Sequence, residues 1–120
     1  PTNLYSLFEN EILKIEDIIN KSTNEDGKIM RALLVKLPSK KLIPPHVDGS
    51  ITLSLCRRIH IPIQTNENCF FTVGGDKRNL KLGEMWEINN DKQMHSVNNL
   101  GKYDRIHLIV DWVQTALLES

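Results

Sequence analysis

The sequence predicts a mainly β domain, a barrel or jelly roll, with one helix packed against its outside. Two observations lead to this fold class. Apolar residues near the N-terminus recur in helical steps, and after residue 28 short β-prone segments alternate with turn residues. The chain has 120 residues, of which 40% are hydrophobic, which is enough for one core. We therefore expect a single domain, with a helix and loop over residues 1–28 and a β core over residues 29–120.

The N-terminal helix is predicted from an apolar stripe. Its members lie three or four residues apart and fall on one helical face: Leu4, Leu7, Phe8, Ile12, Ile15, Ile18 and Ile19. The polar run over residues 20–27 lacks this periodicity. We therefore expect the helix to give way to a loop at Asn20.

The rest of the chain predicts strands separated by turns. The segments rich in β-branched and aromatic residues cover 29–37, 51–55, 57–64, 69–73, 80–82, 85–88, 96–98 and 105–112. Glycine and asparagine clusters near residues 74–76, 83, 89–91 and 98–102 supply the turns. Pro38, Pro44 and Pro45 predict an extended connection after the first strand. Many short strands of this kind are typical of a barrel or jelly roll.

Strand alternation puts an Arg-x-His pair on one face of each of two strands. In 57–64 the pair is Arg58 and His60, and in 105–112 it is Arg105 and His107. Such a face meets either solvent or a polar cavity inside a barrel.

Charge and composition exclude several classes of partner. Fifteen Lys and Arg balance fifteen Asp and Glu, so we expect neither nucleic acid nor a membrane surface as a partner. No apolar stretch is long enough for a membrane helix, and the N-terminus lacks a signal-peptide pattern. Cys56 and Cys69 do not form a C-x-x-C pair, which favours reduced thiols and a cytoplasmic location.

His46 and Asp48 lie two apart on an extended segment, so their side chains point to the same side. With His95 they would make a two-histidine, one-carboxylate set, which occupies one face of a non-haem Fe(II) ion. His60 and His107 are poorer third ligands because each lies two residues from an arginine. The alternative is an exposed polar pair and an unrelated histidine.

The arginines fit a carboxylate ligand near such a metal. An iron enzyme of this type uses a dicarboxylate cosubstrate, and the planar guanidinium of Arg105 suits its far carboxylate. Arg58 and His60 suit the near carboxylate. The alternative for each arginine is a surface salt bridge.

Four stretches in order, PPHVDGS, CRRIHIPIQT, GEMWEINNDKQMHSVNN and GKYDRIHLIVDW, resemble the aspartyl/asparaginyl β-hydroxylase family of Fe(II)- and 2-oxoglutarate-dependent oxygenases. The resemblance spans about residues 29–113. It implies a double-stranded β-helix, a cupin-like jelly roll. It also implies that molecular oxygen is used to hydroxylate an unactivated C–H bond, with release of succinate and CO2.

By position, the resemblance assigns roles to six residues. His46, Asp48 and His95 match the metal ligands and catalytic centre, Arg105 matches the residue for the distal carboxylate of 2-oxoglutarate, and Arg58 with His60 match the pair at its metal-side carboxylate. His107 either lines the pocket or is a core histidine. The small size of the chain favours an amino acid or a short peptide as the substrate.

Two other interpretations remain open. A cupin-type metalloprotein would use the same ligands without 2-oxoglutarate. A non-catalytic jelly-roll binding module would keep the fold without iron.

Overall fold

The computed structural model describes residues 4–46, 56–88 and 94–118. Its elements, in chain order, are helix α1 (Leu4–Thr23), strands β1 (Gly27–Leu37), β2 (Leu42–His46), β3 (Arg57–Gln64), β4 (Cys69–Val73), β5 (Asp76–Arg78), β6 (Trp86–Glu87), β7 (His95–Asn99) and β8 (Arg105–Gln114), and a short helix α2 (Thr115–Leu118). None of the helices in these ranges is long and apolar enough to cross a membrane.

The strands form two four-stranded sheets. The first has the order β1-β8-β3-β6 and the second the order β2-β7-β4-β5. The paired strands are antiparallel, and most neighbours are distant in sequence. Two such sheets with crossing connections make the predicted jelly roll, so the fold class is confirmed.

Each face of the first sheet packs against another layer. Its inner face meets the second sheet around a core of Leu37, Cys69, Phe71, Leu80, Ile88 and Val97. Its outer face packs against α1 through a separate cluster of Ile19, Ile59, Leu108, Val110 and Trp112. This sidedness places the helix outside, as predicted. It also assigns the other face of β3 and β8 to the interior.

Helix α1 is held on the sheet by polar contacts as well as apolar ones. The indole Nε1 of Trp112 donates a hydrogen bond to Asn20 Oδ1 at 2.8 Å, and the backbone N of Ile29 donates to Glu16 Oε2 at 2.9 Å. A Cβ atom at Gly27 would overlap the Trp112 ring, so glycine is required there by close approach.

The predicted end of this helix was wrong, because α1 continues through Asn20 to Thr23. Thr23 Oγ1 donates to Ile19 O at 2.9 Å, and Asn20 Nδ2 donates to Gly27 O at 3.2 Å. Side-chain hydrogen bonds therefore extend the helix past its apolar stripe. Asn24, with φ of 55°, then ends it.

The predicted strand at 80–82 was also wrong, since the strand lies at Asp76–Arg78. Gly74 and Gly75 have φ of 55° and 89°, which suits a two-residue hairpin turn. The chain therefore returns immediately at Asp76. The three strand residues are charged and exposed, so they carry no apolar alternation to reveal them.

Among the described strands, the proline-containing segment lies at the edge of its sheet. Pro44 and Pro45 lie in β2, whose pairing with β7 is irregular between Ile43 and His46. Proline lacks an N–H for the ladder and is tolerated at such an edge. The predicted strand at 51–55 lies outside the described residues.

Candidate functional site

The two predicted metal histidines are neighbours across the second sheet. The register of β2 and β7 pairs His46 directly with His95. His95 is 5% exposed and follows the same alternation as the core residue Val97, so the side chain of His95 is on the inner face.

Asp48 lies outside the described residues, so its predicted position as the third ligand stays a prediction. Within the described part of the chain, no group of three His, Cys, Asp or Glu side chains is placed to hold a metal. A metal at this site would therefore depend on residues 46 and 48 together with His95. The buried imidazole of His95 is a suitable donor.

Phe71 joins this histidine to the opposite sheet. Its ring is stacked on His95 with 6.0 Å between centroids and an interplanar angle of 7°. The same ring meets His60 edge-on at 5.3 Å. His60 on β3 and His95 on β7 thus approach each other from the two sheets, with one aromatic ring between them.

Three basic side chains from β3 and β8 are buried on the inner face of the first sheet: His60, Arg105 and His107 are 5%, 2% and 2% exposed. Arg105 Nη1 lies 3.2 Å from His107 Nδ1, and His107 Nδ1 lies 3.2 Å from His60 Nδ1. This arrangement, termed the basic triplet below, confirms that the alternating polar face lines the interior.

Two atoms of the basic triplet are buried without a hydrogen-bond partner among the described residues. They are Nε of Arg105 and Nε2 of His60. A buried polar atom left unpaired is costly, and native proteins rarely keep one without a reason. Both atoms are therefore candidates for contact with a bound ligand.

Burial also sets the charge of the basic triplet. It lowers the pKa of His60 to about 2, with further lowering by His107 and the cation of Arg105. The pKa of His107 falls to about 3 through burial and the neighbouring Arg105. Burial lowers the pKa of Arg105 as well, but a guanidinium keeps its proton at neutral pH. The basic triplet therefore consists of one cation and two neutral imidazoles at neutral pH.

A buried asparagine at the end of β7 joins the strands near Arg105. Asn99 Nδ2 donates to Leu37 O at 3.1 Å and to Tyr103 O at 2.9 Å, and its Oδ1 accepts from the backbone N of Gly101 at 3.1 Å. These bonds join β1, β7 and the turn before β8, whose first residue is Arg105.

Arg58 is placed differently from the basic triplet. Its Nε and Nη2 donate to the two carboxylate oxygens of Asp111 at 2.7 and 3.0 Å. The ion pair is largely buried, with side chains 16% and 9% exposed. Arg58 as a carboxylate ligand stays a prediction, and in the described structure it holds Asp111.

Two cavities are lined by described residues of this region. A cavity of about 300 Å³ is walled by Phe71, Val73 and Trp86, and Asp76 and Arg78 also line it. One of these residues, Phe71, stacks on His95. A second cavity, of about 10 Å³, adjoins Arg105 and His107. Phe71 and Leu80 line both, so these two side chains separate them.

A model of the aspartyl/asparaginyl β-hydroxylase family matches residues 9–115, which is most of the chain. The chain belongs to this family. The match confirms the sequence resemblance and extends it into α1.

A curated relative is the L-proline cis-4-hydroxylase of Rhizobium meliloti (strain 1021). It is 31% identical to this aspartyl/asparaginyl β-hydroxylase family member over 88 residues, which are 72% of this chain and 31% of the relative. The chain thus spans about a third of the length of that protein.

Solved structures show the same fold at low sequence identity. A non-haem monooxygenase, ThoJ, in complex with nickel superposes with a TM-score of 0.60 at 15% identity, covering 83% of this chain and 49% of that one. The cupin domain of Schizosaccharomyces pombe Cnp3 gives 0.54 at 15% identity, covering 73% and 58%. These neighbours support the jelly-roll, cupin-like fold.

Sequence reasoning missed Phe71 and the pairing of Arg58. Phe71 carries no polar group, and nothing in its strand marks it as the contact between two histidines. Asp111 was detectable, because it alternates on the same face of β8 as Arg105 and His107. The register that pairs it with Arg58 is a tertiary property.

Proposed function

We propose that this chain forms the catalytic core of an Fe(II)- and 2-oxoglutarate-dependent hydroxylase. The target is an unactivated C–H bond of an amino acid or a peptidyl residue. The observation that carries the proposal is the pair of unpartnered buried atoms, Arg105 Nε and His60 Nε2, on the sheet opposite the paired His46 and His95. Family membership and the proline hydroxylase relative support it.

His46, Asp48 and His95 would hold Fe(II). Two imidazoles and one carboxylate suit this ion and leave coordination positions free. When bound, the iron supplies the oxygen chemistry that hydroxylates the substrate and converts 2-oxoglutarate to succinate and CO2. His95 is kept in place by its stacking on Phe71.

Arg105 would bind the distal carboxylate of 2-oxoglutarate. The guanidinium is 2% exposed, and its Nε is without a partner in the described structure. A carboxylate there forms charge-assisted hydrogen bonds in a place from which water is excluded. Neutralising a buried cation gives this contact its strength.

His60, with Arg58, would lie at the metal-side carboxylate. His60 touches Phe71, which touches His95, so the His60 side chain is on the metal side of the basic triplet. The cavity at Arg105 has room for about one water molecule. We expect Phe71 and Leu80 to shift when a dicarboxylate enters, because they separate this cavity from the larger one.

The larger cavity is the proposed place for the substrate. Its volume of about 300 Å³ is at the lower end for small-molecule sites, which suits an amino acid or a short peptide segment. Its lining contains one positive and one negative side chain, Arg78 and Asp76. Arg78 Nε and Asp76 Oδ2 form an exposed ion pair at 2.8 Å. Exposed pairs of this kind open at little cost to admit a charged ligand.

A second candidate is a cupin-type metalloprotein that does not use 2-oxoglutarate. The structural likeness to the Cnp3 cupin domain supports this second candidate. Under that function Arg105 would be dispensable, and its burial without a full set of partners would have no use. The oxygenase proposal accounts for this arginine and is therefore preferred.

The deciding experiment is anaerobic addition of Fe(II) and then 2-oxoglutarate to the purified protein. Chelation of the ferrous ion by 2-oxoglutarate should produce a metal-to-ligand charge-transfer band in the visible spectrum. Iron demonstrably bound without such a band would refute the oxygenase proposal and leave the cupin-type function.

The same titration tests the ligand set. His95→Ala should lose iron binding, because it removes one of the two imidazoles. Retained full affinity would place a metal ligand elsewhere.

A further inference from the structure

His107 occupies the centre of the basic triplet, between Arg105 and His60. Its Nδ1 atom lies 3.2 Å from a guanidinium nitrogen and 3.2 Å from the other imidazole. It is 2% exposed, and its ring meets His60 nearly perpendicularly, at 81°. One atom thus touches both residues for which the proposed function needs a defined orientation.

The contact with Arg105 determines which nitrogen of His107 carries the proton. A guanidinium only donates hydrogen bonds, so His107 Nδ1 accepts from Arg105 Nη1 and has no proton. His107 is then protonated on Nε2. His60 Nδ1 lies 3.2 Å from the same atom, whose single lone pair is already taken by Arg105.

The same contact orients the guanidinium of Arg105. Nη1 is used by His107, whereas Nε is buried without a partner among the described residues. A guanidinium is planar and binds a carboxylate along one edge. Because His107 holds Nη1, the edge that contains Nε is left for the ligand.

We propose that His107 is a positioning residue, which accepts a hydrogen bond from Arg105 and thereby orients its guanidinium toward the cosubstrate. The role rests on the proposed function, because it presumes that Arg105 meets 2-oxoglutarate. It answers whether His107 lines the pocket or only fills the core. His107 acts through its neighbours and does not itself contact the reacting atoms.

Two substitutions of His107 test whether it acts by accepting a hydrogen bond or only by filling space in the core. His107→Asn keeps an acceptor oxygen near the position of Nδ1 but leaves a gap. His107→Leu fills the space but has no acceptor. We expect the 2-oxoglutarate dissociation constant, measured from the charge-transfer band, to rise by about tenfold or more in the Leu variant and by no more than about threefold in the Asn variant. Iron affinity should change in neither.

The tautomers supply a readout that a space-filling role would not move. In the protein without metal or cosubstrate, ¹⁵N NMR of the imidazoles should show His107 protonated on Nε2. This measurement on the native protein needs no variant to fold, and circular dichroism checks the folding of both variants.

The outcomes separate the two proposals. Absence of the charge-transfer band in the iron-loaded native protein overturns both. A normal band in the native protein, together with a Leu variant that binds 2-oxoglutarate more tightly than the Asn variant, overturns the role of His107 alone. Finding His107 protonated on Nδ1 in the native protein does the same.

Discussion

Two buried neutral histidines make the stability of this protein depend on pH. His60 has a pKa of about 2 and His107 of about 3 in the folded chain, whereas an unfolded chain has histidine values near about 6.5. Below about pH 6.5 the unfolded chain therefore binds protons that the folded chain does not. Protonation of the unfolded chain pulls the equilibrium toward it.

We expect stability to be greatest above about pH 6.5 and to fall as the pH drops toward 3. Each histidine contributes a slope of up to about 1.4 kcal/mol per pH unit across that range. Urea unfolding at several pH values measures this slope. His107→Leu lacks one of the two groups and should have a smaller slope; equal slopes would show that His107 is protonated when folded.

Arg105 and Arg57 allow a matched test of the proposed carboxylate site. Arg105 is 2% exposed on the inner face, whereas the side chain of Arg57 is 41% exposed and pairs with Glu87. Arg105→Ala should raise the 2-oxoglutarate dissociation constant by at least about tenfold, because it removes the charged partner of the distal carboxylate. Iron affinity should be nearly unchanged.

The charge-transfer titration measures cosubstrate affinity, and a metal titration measures iron affinity. Arg57→Ala is the control and should alter neither. Equal loss of both affinities in Arg105→Ala would mean that the arginine maintains the structure and does not bind the cosubstrate.

At the level of elements, the side-chain amide of Asn20 links α1 to the first sheet. Asn20 accepts from the Trp112 indole at 2.8 Å and donates to Gly27 O at 3.2 Å. Trp112 is fully buried, so its N–H has no water to replace that acceptor. The helix, β1 and β8 therefore share this side chain.

Asn20→Ala should lower the free energy of unfolding by about 1–3 kcal/mol, because it leaves the buried indole N–H unpaired. Chemical denaturation followed by tryptophan fluorescence measures the change. Asn10→Ala is the matched control, since Asn10 is exposed on the same helix. A loss no larger than that of the control would show that Asn20 does not hold the helix on the sheet.

At the level of the whole molecule, the first sheet separates two apolar clusters. Leu108 belongs to the outer cluster, beneath α1, and its neighbour His107 faces the inner cavity. Phe71 belongs to the inner cluster and lines both cavities. Substitutions in the two clusters should therefore have different effects on the affinity for 2-oxoglutarate.

Leu108→Ala should destabilise the fold by about 2–5 kcal/mol through the space it leaves. The 2-oxoglutarate affinity of the folded fraction should stay the same. Phe71→Ala should cost about 3–5 kcal/mol and also change that affinity, because it joins the two cavities and frees His60 and His95. Thermal unfolding and the charge-transfer titration measure the two properties. Equal effects of both variants on affinity would contradict the separation.

Local patterns predicted much of the fold. The apolar stripe of α1 and the alternation in β3 and β8 are set by residues close in sequence, which is why they could be read without a structure. The same rule failed at Asn20 and at residues 80–82. At Asn20, side-chain hydrogen bonds lengthened the helix. Near residues 80–82, the turn at Gly74 and Gly75 makes the strand begin earlier, at Asp76, and its residues are charged and exposed.

Some features of the candidate site could likewise be predicted from the sequence, and others could not. The sequence by itself determined which residue types are available, and that Arg105 and His107 share one face of their strand. Only the tertiary structure decided that His46 is opposite His95 in the strand register, that Phe71 lies between His60 and His95, and that Arg58 pairs with Asp111. The reason is physical: alternation acts between residues two apart, whereas register and sheet packing join residues tens of positions apart, and no local pattern encodes those distances.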